Sequence, residues 1–274
     1  MTFSFFYSRG GSGYVRGYQM AEALGGKHNP KSGFENDICI YVKILPPDNY
    51  PKHSYMDVDD APKAVNWLMT HKDIGVIAIS KRAKRKLEQL LPGRKIILIP
   101  HQHVNFERWT RPDREVKVVG IIGSTSSFQS DIEEFRTKLS ELGLELKYEE
   151  DYWNTYKTDQ NKSMREKICD FHKEIDIQVV WRPRRDNSIK DMLRNPNKLG
   201  NAASFGIPTV SYPEENFEEE WDGLYLPALT IDQMIFQIRC LKDSKVLYRN
   251  YSISGLLRAE KYHMDNIMKR YLEL

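Results

Sequence analysis

Short runs of apolar residues alternate with amphipathic stretches along almost the whole chain. In the first half, the apolar runs predict strands at 3–7, 37–42, 75–79 and 95–99. The stretches between them predict helices at 14–24 and 61–69, and a further helix that Ser80 caps and that continues to Leu91. Because strands alternate with helices, the pattern is typical of βαβ units with parallel strands.

The same alternation restarts in the second half of the chain. It predicts strands at 116–122, 144–148, 175–181 and 207–211, and helices at 131–142, at 197–205 and from Ile231 onward. Between 100 and 115 the regular pattern gives way to His, Arg, Pro and Trp residues. We therefore predict an α/β protein with two Rossmann-like domains joined in this segment. A single six- or seven-stranded sheet is the alternative.

Composition narrows the class of protein. The 274 residues, of which 40% are hydrophobic, are enough for two packed cores. With 41 basic against 38 acidic residues, binding to nucleic acid by charge alone is not expected. No apolar run has the length of a membrane helix, and the start of the chain does not resemble a signal peptide. Cys39, Cys169 and Cys240 have no C-x-x-C spacing, which indicates reduced thiols and a cytoplasmic protein.

A glycine-rich loop follows the first predicted strand. It consists of Arg9, Gly10, Gly11, Ser12 and Gly13. Glycines let the backbone approach a ligand closely, and the start of the next helix favours an anion. Position 16 is Arg where the dinucleotide fingerprint has Gly, so classical NAD binding is not expected. We expect Arg9 and Arg16 to add cationic donors; a flexible turn is the alternative.

Three other segments have candidate chemistry. Gly123, Ser124 and Thr125 form a small-residue turn after a strand, which suits a phosphate or serves as an ordinary helix cap. Arg182 directly follows another strand, where ligands bind in α/β sheets. His53 and the acidic residues at 57–60 lie in a predicted loop that suits an acceptor hydroxyl or a divalent ion, or is a solvated turn.

The run from 194 to 210 has the most specific pattern. Lys198 and Asn201 are three residues apart on one helix face, which suits a diphosphate and a ribose hydroxyl. The run resembles the donor-site helix of GT-B glycosyltransferases, particularly the retaining group-1 type, whose signature is approximately Lys-x-x-Glu-Ala-x-Ala-x-Gly-x-Pro-Val-Val. The residues in register are Lys198, Ala202, Ser204, Gly206, Pro208 and Val210. The Glu-x7-Glu motif of that family is altered, because Leu193 and Asn201 occupy its two positions.

This resemblance implies two Rossmann-like domains that face a cleft. Residues 1–108 would form the acceptor-side domain and residues 109–258 the nucleotide-sugar domain, while 259–274 would form a terminal helix that crosses back to the first domain. In place of the missing first glutamate, Asp186, Asp191 or Glu214 would contact the donor sugar. We expect most of the charge of the acidic residues at 214–215 and 218–220 to be solvated surface.

The implied function is transfer of a sugar from a nucleotide-sugar donor, with UDP or a guanosine diphosphate as leaving group, to an unknown acceptor. Lys198 and Arg182 would neutralise the diphosphate without a metal ion or cofactor. The alternative is a non-catalytic nucleotide-sugar-binding or scaffold protein. The basic segment Lys81–Lys86 predicts either peripheral contact with membrane or nucleic acid, or a solvated helix. His101 and His103 lack a third metal ligand nearby.

Overall fold

A computed structural model of the chain describes residues 1–8, 10–123, 127–150, 163–183 and 188–274. The chain forms two compact units. Unit 1 comprises Met1–Gln102, Asp186–Pro196 and Met264–Leu274, and unit 2 comprises His103–Arg185 and Asn197–His263. The domain boundaries predicted at 108 and 258 stay a prediction.

The described residues contain eleven strands, and helices follow most of them, although β2, β3 and β4 succeed one another directly, as do β6 and β7. The strands are β1 (Phe3–Tyr7), β2 (Lys27–His28), β3 (Ile38–Val42), β4 (Ser54–Asp57), β5 (Gly75–Ala78), β6 (Ile96–Leu98), β7 (Val118–Gly123), β8 (Glu145–Glu150), β9 (Ile177–Val180), β10 (Thr209–Ser211) and β11 (Leu226–Pro227). The α-helices are α1 (Gln19–Leu24), α2 (Pro62–Leu68), α3 (Lys81–Leu90), α4 (Ile132–Glu141), α5 (Met164–Glu174), α6 (Ile189–Met192), α7 (Asn197–Ser204), α8 (Glu215–Trp221), α9 (Ile231–Asp243), α10 (Lys245–Ala259) and α11 (Met264–Tyr271). A π-helix, Gly13–Tyr18, precedes α1.

Each unit has its own parallel sheet. Unit 1 has six strands in the order β2-β1-β3-β4-β5-β6, and unit 2 has five in the order β11-β10-β9-β7-β8. Every strand pair within both sheets is parallel. The prediction of an α/β protein with two Rossmann-like domains is therefore confirmed, and the single-sheet alternative is wrong.

The core of unit 1 forms because the central strands are apolar on both faces. Cys39, Ile40 and Val42 of β3 are all fully buried, as expected for a parallel sheet covered by helices on both sides. Gly17 lets the π-helix pack onto β1, since a Cβ at this position would lie 2.6 Å from the Cβ of Tyr7. The glycine thus brings the loop that precedes it close to the carboxyl end of β1.

The core of unit 2 lies around β7 and β9 and includes aromatic side chains of the helices. Phe135 of α4 is fully buried against this sheet. Close packing of α7 and α10 depends on Gly255, whose added Cβ would lie 3.3 Å from the Cβ of Ala203. The small residues of α7 therefore seat this helix against its neighbour, and its first turn stands at the end of the sheet.

None of the described helices combines the length and the apolar composition that crossing a membrane requires.

Candidate functional site

The carboxyl ends of β7, β9 and β10 lie at one edge of the sheet of unit 2. These strands end at Gly123, Val180 and Ser211, and α7 begins at Asn197. In open α/β sheets this edge is where ligands bind. The structure therefore places Gly123 at the end of β7, Arg182 after β9 and the start of α7 at the carboxyl edge of one sheet.

Lys198 reaches back from α7 to the end of β7. Its ammonium group donates a hydrogen bond to the carbonyl oxygen of Ile122. The next residue, Gly123, has φ +135°, and a Cβ there would lie 2.5 Å from Nζ of Lys198 and 3.3 Å from Cβ of Ser127. A side chain here would displace the ammonium group, and the positive φ also favours glycine. The contact joins two of the predicted donor residues.

The surroundings of Lys198 change the pKa of its ammonium group. Burial of the ammonium group, together with the neighbouring charge of Arg182, lowers the pKa of Lys198 to about 7, although Glu214 opposes the shift. A lysine with this pKa exchanges its proton near neutral pH. An anion bound beside it would favour the charged form, so the site is suited to a phosphate group.

Arg182 follows β9 and is held by a buried carboxylate. Its Nε donates to Oε1 of Glu214 at 2.7 Å, and Glu214 is fully buried. The guanidinium carbon also lies 5.9 Å from the ring centroid of Phe217. Most of the acidic charge near 214–220 was expected to be solvated, but Glu214 and Glu220 are 0% and 4% exposed. Arg182 compensates the charge of Glu214 inside the unit.

A buried side chain of β9 hydrogen-bonds to the backbone of α7. Gln178 donates through Nε2 to the carbonyl oxygen of Lys198 at 2.8 Å. Oε1 of the same amide lies 3.0 Å from Nε2 of His172, whose pKa is lowered to about 4 by burial. Sequence reasoning missed both residues. Gln178 was detectable as the polar side chain within the apolar strand β9, whereas His172 lies among the charged residues of α5 and had no such signal.

Asn201 lies one turn after Lys198 and is 8% exposed. Its Oδ1 accepts a hydrogen bond from the backbone N–H of Val104 at 3.2 Å. The side-chain oxygen of Asn201 is therefore engaged by the backbone of Val104. Ser124 and Thr125, which were predicted to bind the donor, lie outside the described residues.

Of the three proposed substitutes for the family's first glutamate, only Glu214 is described in unit 2, where it pairs with Arg182. Leu193 is fully buried in the core of unit 1. Asp191 is 1% exposed, and one of its carboxylate oxygens lies 3.4 Å from Arg194. Asp186 lies outside the described residues. Neither Leu193 nor Asp191 belongs to unit 2, which contains Lys198.

In unit 1 the glycine-rich loop leads from the carboxyl end of β1 into the π-helix. Gly10 and Gly11 have φ of +97° and +51°, so both use the left-handed region that glycine favours. Ser12 precedes the π-helix, which begins at Gly13. Arg9 lies outside the described residues. Gly10–Gly13 lies at the carboxyl edge of the sheet, and its role in binding a ligand stays a prediction.

Arg16, in the π-helix, makes buried contacts within unit 1 and does not offer its charge to a ligand at the loop. Its side chain is fully buried, and its Nε donates to Asp57 at 2.6 Å. The guanidinium group also donates to the carbonyl oxygens of Ile99 and Pro100, each at 3.1 Å. Burial opposes the charge of Arg16, but Asp57 outweighs it and raises the pKa of the arginine. The expected role of Arg16 beside the loop is therefore wrong.

The structure does not bring His53 together with the glycine-rich loop. His53 is exposed and directly precedes β4, at the amino edge of the sheet, whereas the loop is at the carboxyl edge. The acidic residues after it are not a solvated turn, because Asp57 and Asp59 are 0% and 1% exposed. Lys43 directly follows β3 at the carboxyl edge, and its Nζ lies 3.8 Å from Asp59. The sequence analysis missed this residue.

Two other predicted features have different surroundings from those expected. Within Lys81–Lys86, Arg82 points inward and donates to the carbonyl oxygen of Asp191 at 2.9 Å, and Lys84 pairs with Glu88. His101 is buried, which, with the charge of Arg16, lowers its pKa to about 4. Across the described ranges, no three His, Cys, Asp or Glu side chains are arranged to hold a metal ion.

Comparison with known proteins gives a consistent result for the fold. No protein family and no curated protein matches the chain by sequence. Among solved structures, the glycosyltransferase of Rickettsia africae ESF-5 superposes with a TM-score of 0.61 at 8% identity, over 99% of this chain and 96% of that one. Anabaena HepE in complex with UDP and glucose has a TM-score of 0.57 at 9% identity, over 100% of this chain and 98% of that one.

A third similar structure is TarM, known from S. aureus, with a TM-score of 0.59 at 13% identity. The match covers 87% of this chain and 54% of TarM, so the chain spans about half the length of that protein. The chain has the fold of these glycosyltransferases. At such low identity the likeness concerns the fold alone.

Proposed function

We propose that this protein is a glycosyltransferase that moves a sugar from a nucleotide-sugar donor to an acceptor. The observation that carries the proposal is the contact between Lys198 and the end of β7 at Ile122 and Gly123. It supplies a titratable cation at the ligand-binding edge of a fold shared with glycosyltransferases. The HepE structure, which contains UDP and glucose, supports a uridine diphosphate sugar as the donor.

In this proposal, unit 2 binds the donor through its diphosphate. Lys198, Gly123, Ser124 and Thr125 surround the phosphates, and Asn201 contacts the ribose. Negative charge develops on the diphosphate as the bond to the sugar breaks, and a preorganised cation lowers the energy of that state. Lys198 and Arg182 supply this charge, so the transfer is metal-independent. Retention of configuration follows from the resemblance to the group-1 enzymes.

The acceptor side of the proposal rests on the other half of the chain. Residues 1–108 present the acceptor and 109–258 the donor, and 259–274 return to the first domain. Arg9 and the loop Gly10–Gly13 are the proposed acceptor contacts, and the exposed position of His53 at the opposite edge gives it no support. The three unpaired cysteines fit a reducing, cytoplasmic location.

A non-catalytic nucleotide-sugar-binding protein is the second candidate. The observation that favours it is the burial of Leu193 in the core of unit 1, which leaves the first position of the Glu-x7-Glu motif without a polar group. Arg182 is also paired with Glu214, which reduces the charge that it offers to a leaving group. Such a protein would bind a nucleotide sugar and leave it intact.

Slow hydrolysis of the donor separates the two functions. Incubation with a panel of UDP- and GDP-sugars, followed by NMR, should show release of free sugar from one of them. Lys198→Ala should abolish the release, whereas Lys173→Ala, an exposed lysine of α5, should leave it unchanged. Binding without release in the unaltered protein would support the non-catalytic function, and neither binding nor release from any donor would contradict both.

A further inference from the structure

Helix α10 has an exposed apolar stripe. Val246, Ile253 and Leu257 are 72%, 50% and 72% exposed. At about 100° per residue, these positions lie within roughly 40° of one another around the helix, over about 16 Å of its length. Single exposed aliphatic side chains are ordinary, but a row of them on one helix face marks an interaction surface.

A cationic groove borders this stripe. Its volume is about 950 Å³, and Val246 and Ile253 are part of its wall. The basic residues that line it are Arg111, Arg114, Lys117, Lys242, Lys245 and Arg249, and the acidic ones are Asp113, Glu115 and Asp243. The groove belongs entirely to unit 2. Apolar and cationic surfaces are therefore continuous here.

The groove lies at the amino edge of the sheet. Lys117 directly precedes β7, and Gly143 and Gly206 stand shortly before β8 and β10. Lys198 lies at the opposite, carboxyl edge, where β7 ends. A ligand in the groove would consequently leave the donor edge of the same unit accessible.

The basic residues of the groove differ in how far they are already engaged. Arg111 and Arg114 share the buried carboxylate of Asp176, at 2.9 and 2.8 Å. By contrast, no hydrogen bond or ion pair within the described ranges engages the side chain of Lys245 or Arg249. Both residues are exposed on α10, beside the apolar stripe. They provide the charge with which this surface attracts an anion.

We propose that the apolar stripe and the cationic groove together bind an anionic phospholipid membrane at its surface. Aliphatic side chains are stabilised when they enter the boundary between headgroups and acyl chains, and neighbouring cations pair with the phosphates. A nucleic acid would satisfy Lys245 and Arg249 but leave Val246 and Leu257 in water. A membrane of anionic lipid satisfies both halves of the surface, and it does so with α10 lying along the interface.

Vesicle sedimentation tests the proposal on the full chain. The protein should bind vesicles of phosphatidylcholine with phosphatidylglycerol and not vesicles of phosphatidylcholine alone. Each charge removed in Lys245→Ala and Arg249→Ala should weaken binding about fivefold, the equivalent of about 1 kcal/mol per charge. Val246→Ser with Leu257→Ser should also weaken it severalfold. The matched control is Lys81→Ala with Lys86→Ala on α3, which should bind like the unaltered protein.

A spectroscopic variant shows which surface meets the lipid. Tryptophan emission of Ile253→Trp, after subtraction of the unaltered protein's signal, should shift to the blue when anionic vesicles are added. The proposal is overturned if the protein does not bind these vesicles, if only the α3 control loses binding, or if the emission does not shift. Binding of DNA that needs Lys245 and Arg249, without binding of vesicles, would equally overturn it in favour of a soluble polyanion.

Discussion

The pKa of Lys198 is a measurable property that depends on the geometry at the carboxyl edge of unit 2. The group is enclosed beside Gly123, with Arg182 as a neighbouring charge and Glu214 as the opposing one. Without a ligand its pKa is about 7, well below the ordinary value for lysine. A diphosphate favours the charged form and so raises the pKa in the complex.

Affinity for a nucleotide sugar should therefore depend on pH. Below pH 7, Lys198 is already charged in the free protein, and the affinity for UDP-glucose should be constant. Above pH 7, binding must take up a proton, so the affinity should fall, by at most about tenfold per pH unit. Calorimetry in buffers of different ionisation enthalpy would detect the proton directly.

Lys198→Arg is the control for this pH dependence, because arginine keeps its charge over the whole range. Its affinity should change little between pH 6 and pH 9, a range chosen to bracket the pKa of about 7. UDP-glucose is the suitable ligand, since its diphosphate diester does not titrate near neutral pH. A constant affinity in the unaltered protein would show that Lys198 is not the group that meets the diphosphate.

Gly123 should be far more sensitive to substitution than the nearby Gly200 of α7. In Gly123→Ala the new Cβ would overlap the Lys198 ammonium group, at a positive φ that costs an L residue about 1–3 kcal/mol. At Gly200 the new Cβ would meet only Trp221, at an ordinary 3.5 Å. Alanine is also the better helix former there, by about 0.5–1 kcal/mol.

We expect Gly123→Ala to lose UDP-glucose binding and to unfold at a lower temperature. Gly200→Ala should bind normally and be at least as stable as the unaltered protein. Thermal unfolding with and without the ligand measures both effects. If Gly123→Ala binds UDP-glucose as tightly as the unaltered protein, the end of β7 is not part of the donor site.

At the scale of the elements, Asp176 fixes the beginning of β7. Its carboxylate accepts hydrogen bonds from the backbone N–H groups of Lys117 and Val118, at 2.8 and 2.9 Å, and from Arg111 and Arg114. Burial opposes the charge, but these donors outweigh it and lower the pKa of Asp176. The strand that carries Gly123 at its far end is thereby anchored at its start.

Asp176→Asn should destabilise unit 2 by about 3 kcal/mol at neutral pH, because two arginines lose their buried partner. The lowered pKa means that the carboxylate stabilises the fold above the unfolded-state pKa, near 4. This contribution is lost as the pH falls through the folded-state pKa. Urea unfolding should thus show a large difference between variant and unaltered protein at neutral pH and a small one in acid. As a control, Glu141→Gln, at an exposed position, should have the stability of the unaltered protein at both pH values.

Long apolar runs allowed most elements to be predicted, and β1 has the predicted bounds of 3–7. Ser80 caps α3 as expected, by accepting from the N–H of Ala83. In contrast, β4 (Ser54–Asp57) was not predicted, because its sequence is short and half polar. It becomes a strand through pairing with β3 and β5 on either side, a tertiary effect that no local pattern reports.

The same distinction explains the candidate site. Lys198 and Gly123 were identified from local patterns, and the contact of Lys198 with the end of β7 follows from the packing of α7 beside the sheet. The burial of Glu214 was missed because Arg182, its partner, is 32 residues away in sequence. Arg16 was misassigned for the same reason, since Asp57 is 41 residues away. Local patterns show charges but not the partners that the fold supplies.

At the scale of the whole molecule, the chain has two parallel α/β units, and the proposed donor chemistry belongs to one of them. Unit 2 has Lys198 at the carboxyl edge of its sheet and the cationic groove at the amino edge. Unit 1 has the glycine-rich loop at the carboxyl edge of its own sheet. This division of features fits the proposed transferase, in which one domain binds the donor and the other the acceptor.

Titration calorimetry with UDP-glucose and related nucleotide sugars tests that site most directly. The account predicts that the unaltered protein and Lys173→Ala bind one of these donors with the same affinity. Lys198→Ala should bind the same donor about 1.5–3 kcal/mol more weakly, or roughly 10- to 150-fold, as for the loss of a charge-assisted hydrogen bond. Equal affinity of Lys198→Ala and the unaltered protein, or no binding of any nucleotide sugar, would contradict the account.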